Sequence, residues 1–178
     1  VLPGLVRTDT QPHDSRALHV VAFDGLPPGL ALLDAPDIDS IDDANRSLAR
    51  QLLLAADLWL FVTSAARYAD AVPWEYLAEA AHRNTVVSVI VNRCPPGAVV
   101  EIAGHLAQML AERGLAGAKL FAVAERALPS DGMLPAGDVS GVKHWLTQLA
   151  AESEARSQVA VQSLAGTVRS IDMQLSEL

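Results

Sequence analysis

Three stretches of the chain set chemically capable residues at the end of an apolar run. Residues 30–40 read LALLDAPDIDS, with Asp34 directly after the run and Asp37 and Asp39 close behind. A hard cation such as Mg²⁺ prefers carboxylate oxygen and keeps several waters, so one aspartate can hold it indirectly. An apolar strand that stops in carboxylates suits the carboxyl-end crevice of an α/β sheet, where ligands bind. Asp and Pro also make good turns, so a plain strand-end turn stays open beside the metal or phosphate reading. Asp39 or Ser40 can simply cap a following helix. A phosphatase-like nucleophile in the Asp37-Ile38-Asp39 triplet finds no suitably placed lysine and no second acidic pair.

The second stretch, residues 89–97, is VIVNRCPPG. Asn92 can hydrogen-bond a base or pin a neighbouring loop, and Arg93 can lay its flat guanidinium against a ring. Alternatively, Asn92 and the two prolines only form the turn. The third, FAVAE at residues 121–125, ends in Ala124 and Glu125, where small residues let backbone N–H groups approach a ligand.

The elements that must position these residues follow from apolar patterning. Residues 17–23 and 30–33 read as strands joined by DGLPPG, a connection too short for a parallel crossover, so an antiparallel pair is expected. Asp42 or Ser40 can cap a helix to residue 56 with Leu48, Leu52 and Ala55 on one face. Residues 58–63, 86–91 and 119–124 are continuous apolar runs, as expected of parallel strands buried on both faces. Helices are expected at 73–82, at 98–113 (ended by Gly114) and around 142–149. The alternation predicts an α/β fold: a three-layer, mostly parallel sheet with one antiparallel hairpin strand, helices on both faces and a C-terminal helix. Residues 1–150 form the α/β domain. Residues 151–178 form the final helix, in which Val161, Leu164, Val168, Ile171 and Leu175 keep 3-4 spacing. That helix either packs back on its own domain or begins a stalk or bundle.

Composition narrows the function. The chain has 178 residues, enough for one domain with a proper core. A net charge of −8, without a Lys/Arg cluster, disfavours nucleic-acid binding. Cys94 is the single cysteine, so no internal disulfide can form and a reducing, cytoplasmic setting is expected. No apolar run approaches the length of a transmembrane helix. The five histidines show no metal-ligand spacing. Arg67, in TSAARYADAVPW, is expected to fix its loop by a salt bridge to Asp70 or Glu75, although a phosphate-stabilising role is conceivable.

A strand pair, then LLDAPD, then VIVNRCP and then FAVAE together resemble the later part of a P-loop GTPase domain of the translation-factor-related branch. Residues 32–74 are most similar to actinobacterial dynamin-type GTPases, and the resemblance, Era-like or dynamin-like, covers about residues 15–150. It implies a GTP-binding hydrolase using Mg²⁺. Asp34 matches the aspartate of the D-x-x-G switch motif, which holds Mg²⁺ through water. Asp37 stands where that motif has glycine, and its carboxylate would repel the γ-phosphate. Asn92 and Arg93 match the first two positions of N-K-x-D, while Pro95 stands in place of the guanine-reading aspartate. Ala124 and Glu125 lie where the S-A-K-type loop meets the base.

The phosphate-cradling GxxxxGK[ST] motif does not occur in these residues; no glycine is followed by lysine. The resemblance therefore implies the later two-thirds of a G domain, inactive alone. Its expected partners are a nucleotide, a further copy or a membrane-linked assembly, with peripheral membrane association compatible. A degenerate GTPase-like assembly module and an ATP-using relative are the alternatives.

Overall fold

The computed structural model describes residues 5–8, 17–83, 85–151, 157, 161–166, 168 and 169. The chain divides into two compact units, Val1–Ala56 and Asp57–Leu178, so the expected boundary near residue 150 falls inside the second. Both carry small parallel sheets in a mixed α/β arrangement.

In the first unit, β1 (Val6–Thr8) and β2 (Ala17–His19) pair in parallel, with Arg7 opposite Leu18. This corrects the expected antiparallel hairpin: residues 30–33 are unpaired, and β2 bonds to β1 instead. The DGLPPG segment explains the difference. It makes two successive turns, with the Leu26 N–H donating to the Phe23 carbonyl at 3.1 Å and the Leu30 N–H to the Pro27 carbonyl at 3.2 Å. Pro27 and Pro28 have no N–H to lend a ladder. A double turn also lacks the tight loop geometry that sets hairpin register. Leu32 and Leu33 consequently stay 54% and 44% exposed.

Helix α1 (Asp43–Ala55) starts as its sequence implies. The Asp42 carboxylate accepts the Ala44 N–H at 2.8 Å, satisfying one of the free donors of the first turn. Its buried face runs through Ala49 and Leu52, with Leu48 half-buried and Ala55 exposed.

In the second unit, β3 (Leu58–Ser64), β4 (Val86–Cys94) and β5 (Lys119–Ala124) lie in that order, all parallel. Parallel neighbours need long connections. Helices α2 (Ala71–His82) and α3 (Val99–Glu112) provide them. The central strand is the most buried: Val89 and Val91 are fully covered, each contributing about 1.5–3 kcal/mol of burial. Ser88 is equally buried, and its hydroxyl donates to the Lys119 carbonyl at 3.0 Å, so no polar atom is stranded there.

Helix α3 packs on β5 and β4, buries Leu106 and Leu110, and ends as Gly114 turns left-handed at φ 79°. Helix α4 (Ser140–Ala151) sets Trp145 against Phe121 with ring centroids 5.8 Å apart. In the helical residues 161–166, Gly166 is buried against the Arg83 carbonyl. Val161, Leu164 and Val168 remain exposed. The described part of this helix thus packs on its own unit, but through the glycine rather than the apolar stripe. Ile171 and Leu175 lie outside the described residues. Among the described residues no helix is long and apolar enough to cross a membrane.

Candidate functional site

The carboxyl ends of β3, β4 and β5 bring together Asn92, Arg93, Ala124 and Glu125. Register aligns Ser64 with Asn92 and Cys94 with Ala124. Between Val91 and Cys94 the β4–β5 ladder slips, because β4 carries one more residue than β5 across the interval. Such bulges bend a strand and re-aim its side chains. Here the bulge contains Arg93 at φ 54°, the left-handed region, where a non-glycine residue costs about 1–2 kcal/mol. The Asn92 side chain stabilises the kink: its Oδ1 accepts the Arg93 N–H at 2.7 Å.

The surrounding backbone fastens this mouth. The Asn92 carbonyl accepts the Ala65 N–H at 2.8 Å, and the Cys94 carbonyl accepts the Glu125 N–H at 2.7 Å. The Pro95 carbonyl accepts the Ala98 N–H at 2.8 Å as the chain enters α3 through a 3-10 turn, Pro96–Ala98. Cys94 sits beneath, fully buried, and burial pushes its thiol pKa up against a smaller lowering by the Val123 backbone. Beyond Glu125, Arg126 pairs with Asp138 at 2.7 Å and ties down the loop into α4.

Three polar groups at this mouth make no hydrogen bond or ion pair among the described residues. They are the Nδ2 of Asn92, the guanidinium of Arg93 and the carboxylate of Glu125. Arg93 and Glu125 are exposed. A ligand meeting the sheet here would therefore find donors on β4 and an acceptor at the end of β5.

The loop after β3 is held more tightly. Arg67 pairs with Asp70 at 3.2 Å, the loop-fixing bridge expected from the sequence. The Tyr68 hydroxyl meets His105 Nδ1 at 2.8 Å with the rings edge to face, and the Trp74 indole N–H donates to the Tyr68 carbonyl at 2.8 Å. Arg113 lies over the Trp74 ring at 4.3 Å. Sequence spacing gave no sign of the Tyr68–His105 pair, whose partners stand 37 residues apart. Nor did it reveal the bulge, whose left-handed residue is an arginine and not a glycine or asparagine.

Asp34 and Asp37 belong to the first unit. Both are exposed, Asp34 follows the unpaired residues 30–33, and the Asp37 carbonyl accepts the Ser40 N–H at 3.1 Å in a turn. Asp34 thus follows an irregular segment and not the expected strand. Among the described residues no three His, Cys, Asp or Glu side chains gather as a metal cage. A cleft of about 300 Å³ opens at the other end of the second unit's sheet, against Thr85, Val86, Leu115 and Ala118. Among the described residues no charged side chain lines it, so the carboxyl-end mouth carries the stronger chemistry. No protein-family model, curated protein or solved structure matches the chain.

Proposed function

We propose that the chain is part of a GTP-binding and GTP-hydrolysing protein of dynamin- or Era-like type, with the mouth of β3–β5 on its base side. One observation carries this reading: the left-handed Arg93, braced by Asn92, at the end of the buried central strand. Strained backbone persists where its surroundings over-determine it, and such places cluster at ligand sites. Open parallel sheets also take ligands at their carboxyl ends. In this role Asn92 Nδ2 would donate to the base, Arg93 would cover a ring face, and the chain at Ala124 would approach closely.

The outer edge of β3 adds support. Among the described residues β3 bonds only β4, and its Val62 is 60% exposed. Parallel strands are normally covered, so a further strand at this edge fits an incomplete domain. The phosphate cradle would come from a segment bearing GxxxxGK[ST], a motif these residues lack.

Asp34 fits an Mg²⁺ that keeps most of its waters, because its exposed carboxylate has no hydrogen-bond partner among the described residues. When bound, that ion neutralises charge on phosphoryl oxygens. The protein groups otherwise work by positioning and electrostatics while water attacks the γ-phosphate. The setting in this reading is cytoplasmic, with peripheral membrane assembly.

Asp37 and Pro95 favour a second reading, a GTPase-like assembly module without hydrolysis. By the resemblance Asp37 stands at the glycine position of the switch motif, and its carboxylate is exposed. Titrating GTP and ATP into the full-length protein with Mg²⁺, with phosphate release measured alongside, separates the two. The hydrolase reading expects GTP binding and turnover there, and weak or no GTP binding by this chain alone. Self-association of a full-length protein that lacks GxxxxGK[ST] and releases no phosphate would leave the assembly module instead.

A further inference from the structure

We infer that the helix around residues 161–169 pairs its outward face with the same helix of a second copy, in a parallel, in-register coiled coil. Its amphipathic pattern is inverted. A surface helix ordinarily turns its apolar stripe to the core and its polar residues to water. Here Gly166 is buried against the Arg83 carbonyl, and Gln162, one turn earlier, is half-buried and lines the cleft beside Thr85. Ser163, between them around the helix, is half-buried too. Val161 and Leu164 are each 66% exposed and Val168 58%, with Ala165 exposed beside them. At 3.6 residues per turn Gly166 lies about 170° around the helix from the midline of Val161, Leu164 and Val168. The second unit therefore holds the small and polar face, and it cannot cover the stripe while that contact is kept.

A second copy fits the residue types of the stripe. The 3-4 spacing of Val161, Leu164 and Val168 continues in the sequence through Ile171, Leu175 and Leu178. On a heptad, Val161 and Val168 take the a position and Leu164 the d position; β-branched a residues with leucine at d favour two parallel strands. The positions flanking the seam are Ala160, Ala165, Thr167, Asp172 and Gln174, with a single charge among them, so identical helices meet there without local repulsion. A lipid surface fits less well. Interfacial helices carry several Lys or Arg on the polar face. Residues 157–178 hold only Arg169, against Asp172 and Glu177. A helix over residues 161–178 would be about 27 Å long, too short to be very stable alone in water. Anchorage through Gly166 orders it before the copies meet, which lowers the cost of association. Because the anchored face is opposite the seam, the two second units come to lie on the outer sides of the pair. The pairing involves no nucleotide and is independent of both readings above.

Sedimentation equilibrium of the 178-residue chain, without nucleotide and from micromolar to millimolar concentration, should show reversible dimers. Leu164→Glu should weaken association at least about tenfold. It should leave the urea unfolding of the second unit unchanged, because Leu164 faces water there. A parallel, in-register pair sets position 161 opposite its own copy, so Val161→Cys should form disulfide-linked dimers in a glutathione buffer, Cys94 being buried. A chain that stays monomeric, or association unchanged in Leu164→Glu, overturns the proposal. So does lower stability of the second unit in Leu164→Glu, which would place the stripe against its own unit. Dimers that do not cross-link through Val161→Cys overturn the parallel register. Binding to anionic phospholipid vesicles that Leu164→Glu abolishes, with no dimer in solution, assigns the stripe to lipid instead.

Discussion

Replacing Arg93 by glycine should leave the second unit as stable as before or slightly more so. A strand glycine would ordinarily weaken it. At φ 54° an arginine costs about 1–2 kcal/mol relative to a residue without Cβ. Glycine returns about 0.5–1 kcal/mol of that through its greater freedom in the unfolded chain. Arg93 is exposed and its guanidinium has no partner among the described residues, so little else is lost. The difference is a net gain of between about 0 and 1.5 kcal/mol, or an increase of at most about 6 °C in Tm for a chain of this size. Arg93→Val, β-branched and intolerant of this backbone region, should instead lose stability. All three tryptophans, Trp59, Trp74 and Trp145, lie in the second unit, so their fluorescence in urea follows that unit alone. A loss of 1 kcal/mol or more in Arg93→Gly, with Arg93→Val no worse, would refute the reasoning that the kink is strained. Under the proposed function the same Arg93→Gly protein binds nucleotide more weakly while folding at least as well. That separates a binding role from a structural one.

Two further outcomes test the packing. Gly166→Ala pushes a Cβ into the Arg83 backbone carbonyl and should release the helical residues 161–166, seen as faster proteolysis there with little change in the signal from β4. The buried Cys94 thiol, with its pKa raised by burial, should react with a thiol reagent only after unfolding. Its folded pKa lies above the unfolded value, so the stability it contributes is complete below about pH 8.5 and is lost as pH rises further. Cys94→Ala should flatten that alkaline decline in urea titrations.

Much of the architecture is readable from local sequence. Val86 to Val91 is β-branched and apolar at every position except Ser88, as a strand covered on both faces accommodates. Asp42 announces α1 because its carboxylate satisfies a backbone donor two residues away. Gly114 ends α3 because it alone adopts the required conformation without a Cβ clash. The failure at residues 17–33 has an equally physical origin. Apolar character identifies extended segments but not their partners, and β1 pairs with β2 across an intervening stretch that sequence patterning did not mark.

The candidate site shows the same division. Residue types alone determined that Asn92, Arg93 and Glu125 close apolar strands, and hence that polar chemistry stands at the ends of the sheet. Only tertiary structure decided that β4 bulges against β5, that Asn92 spends its oxygen on its own neighbour, and that the Glu125 N–H is tied to the Cys94 carbonyl beside them. Caps and periodicity are settled within a few residues of chain. Ladder register and the consumption of hydrogen-bond capacity depend on strands about 30 residues apart, and no local pattern encodes that distance.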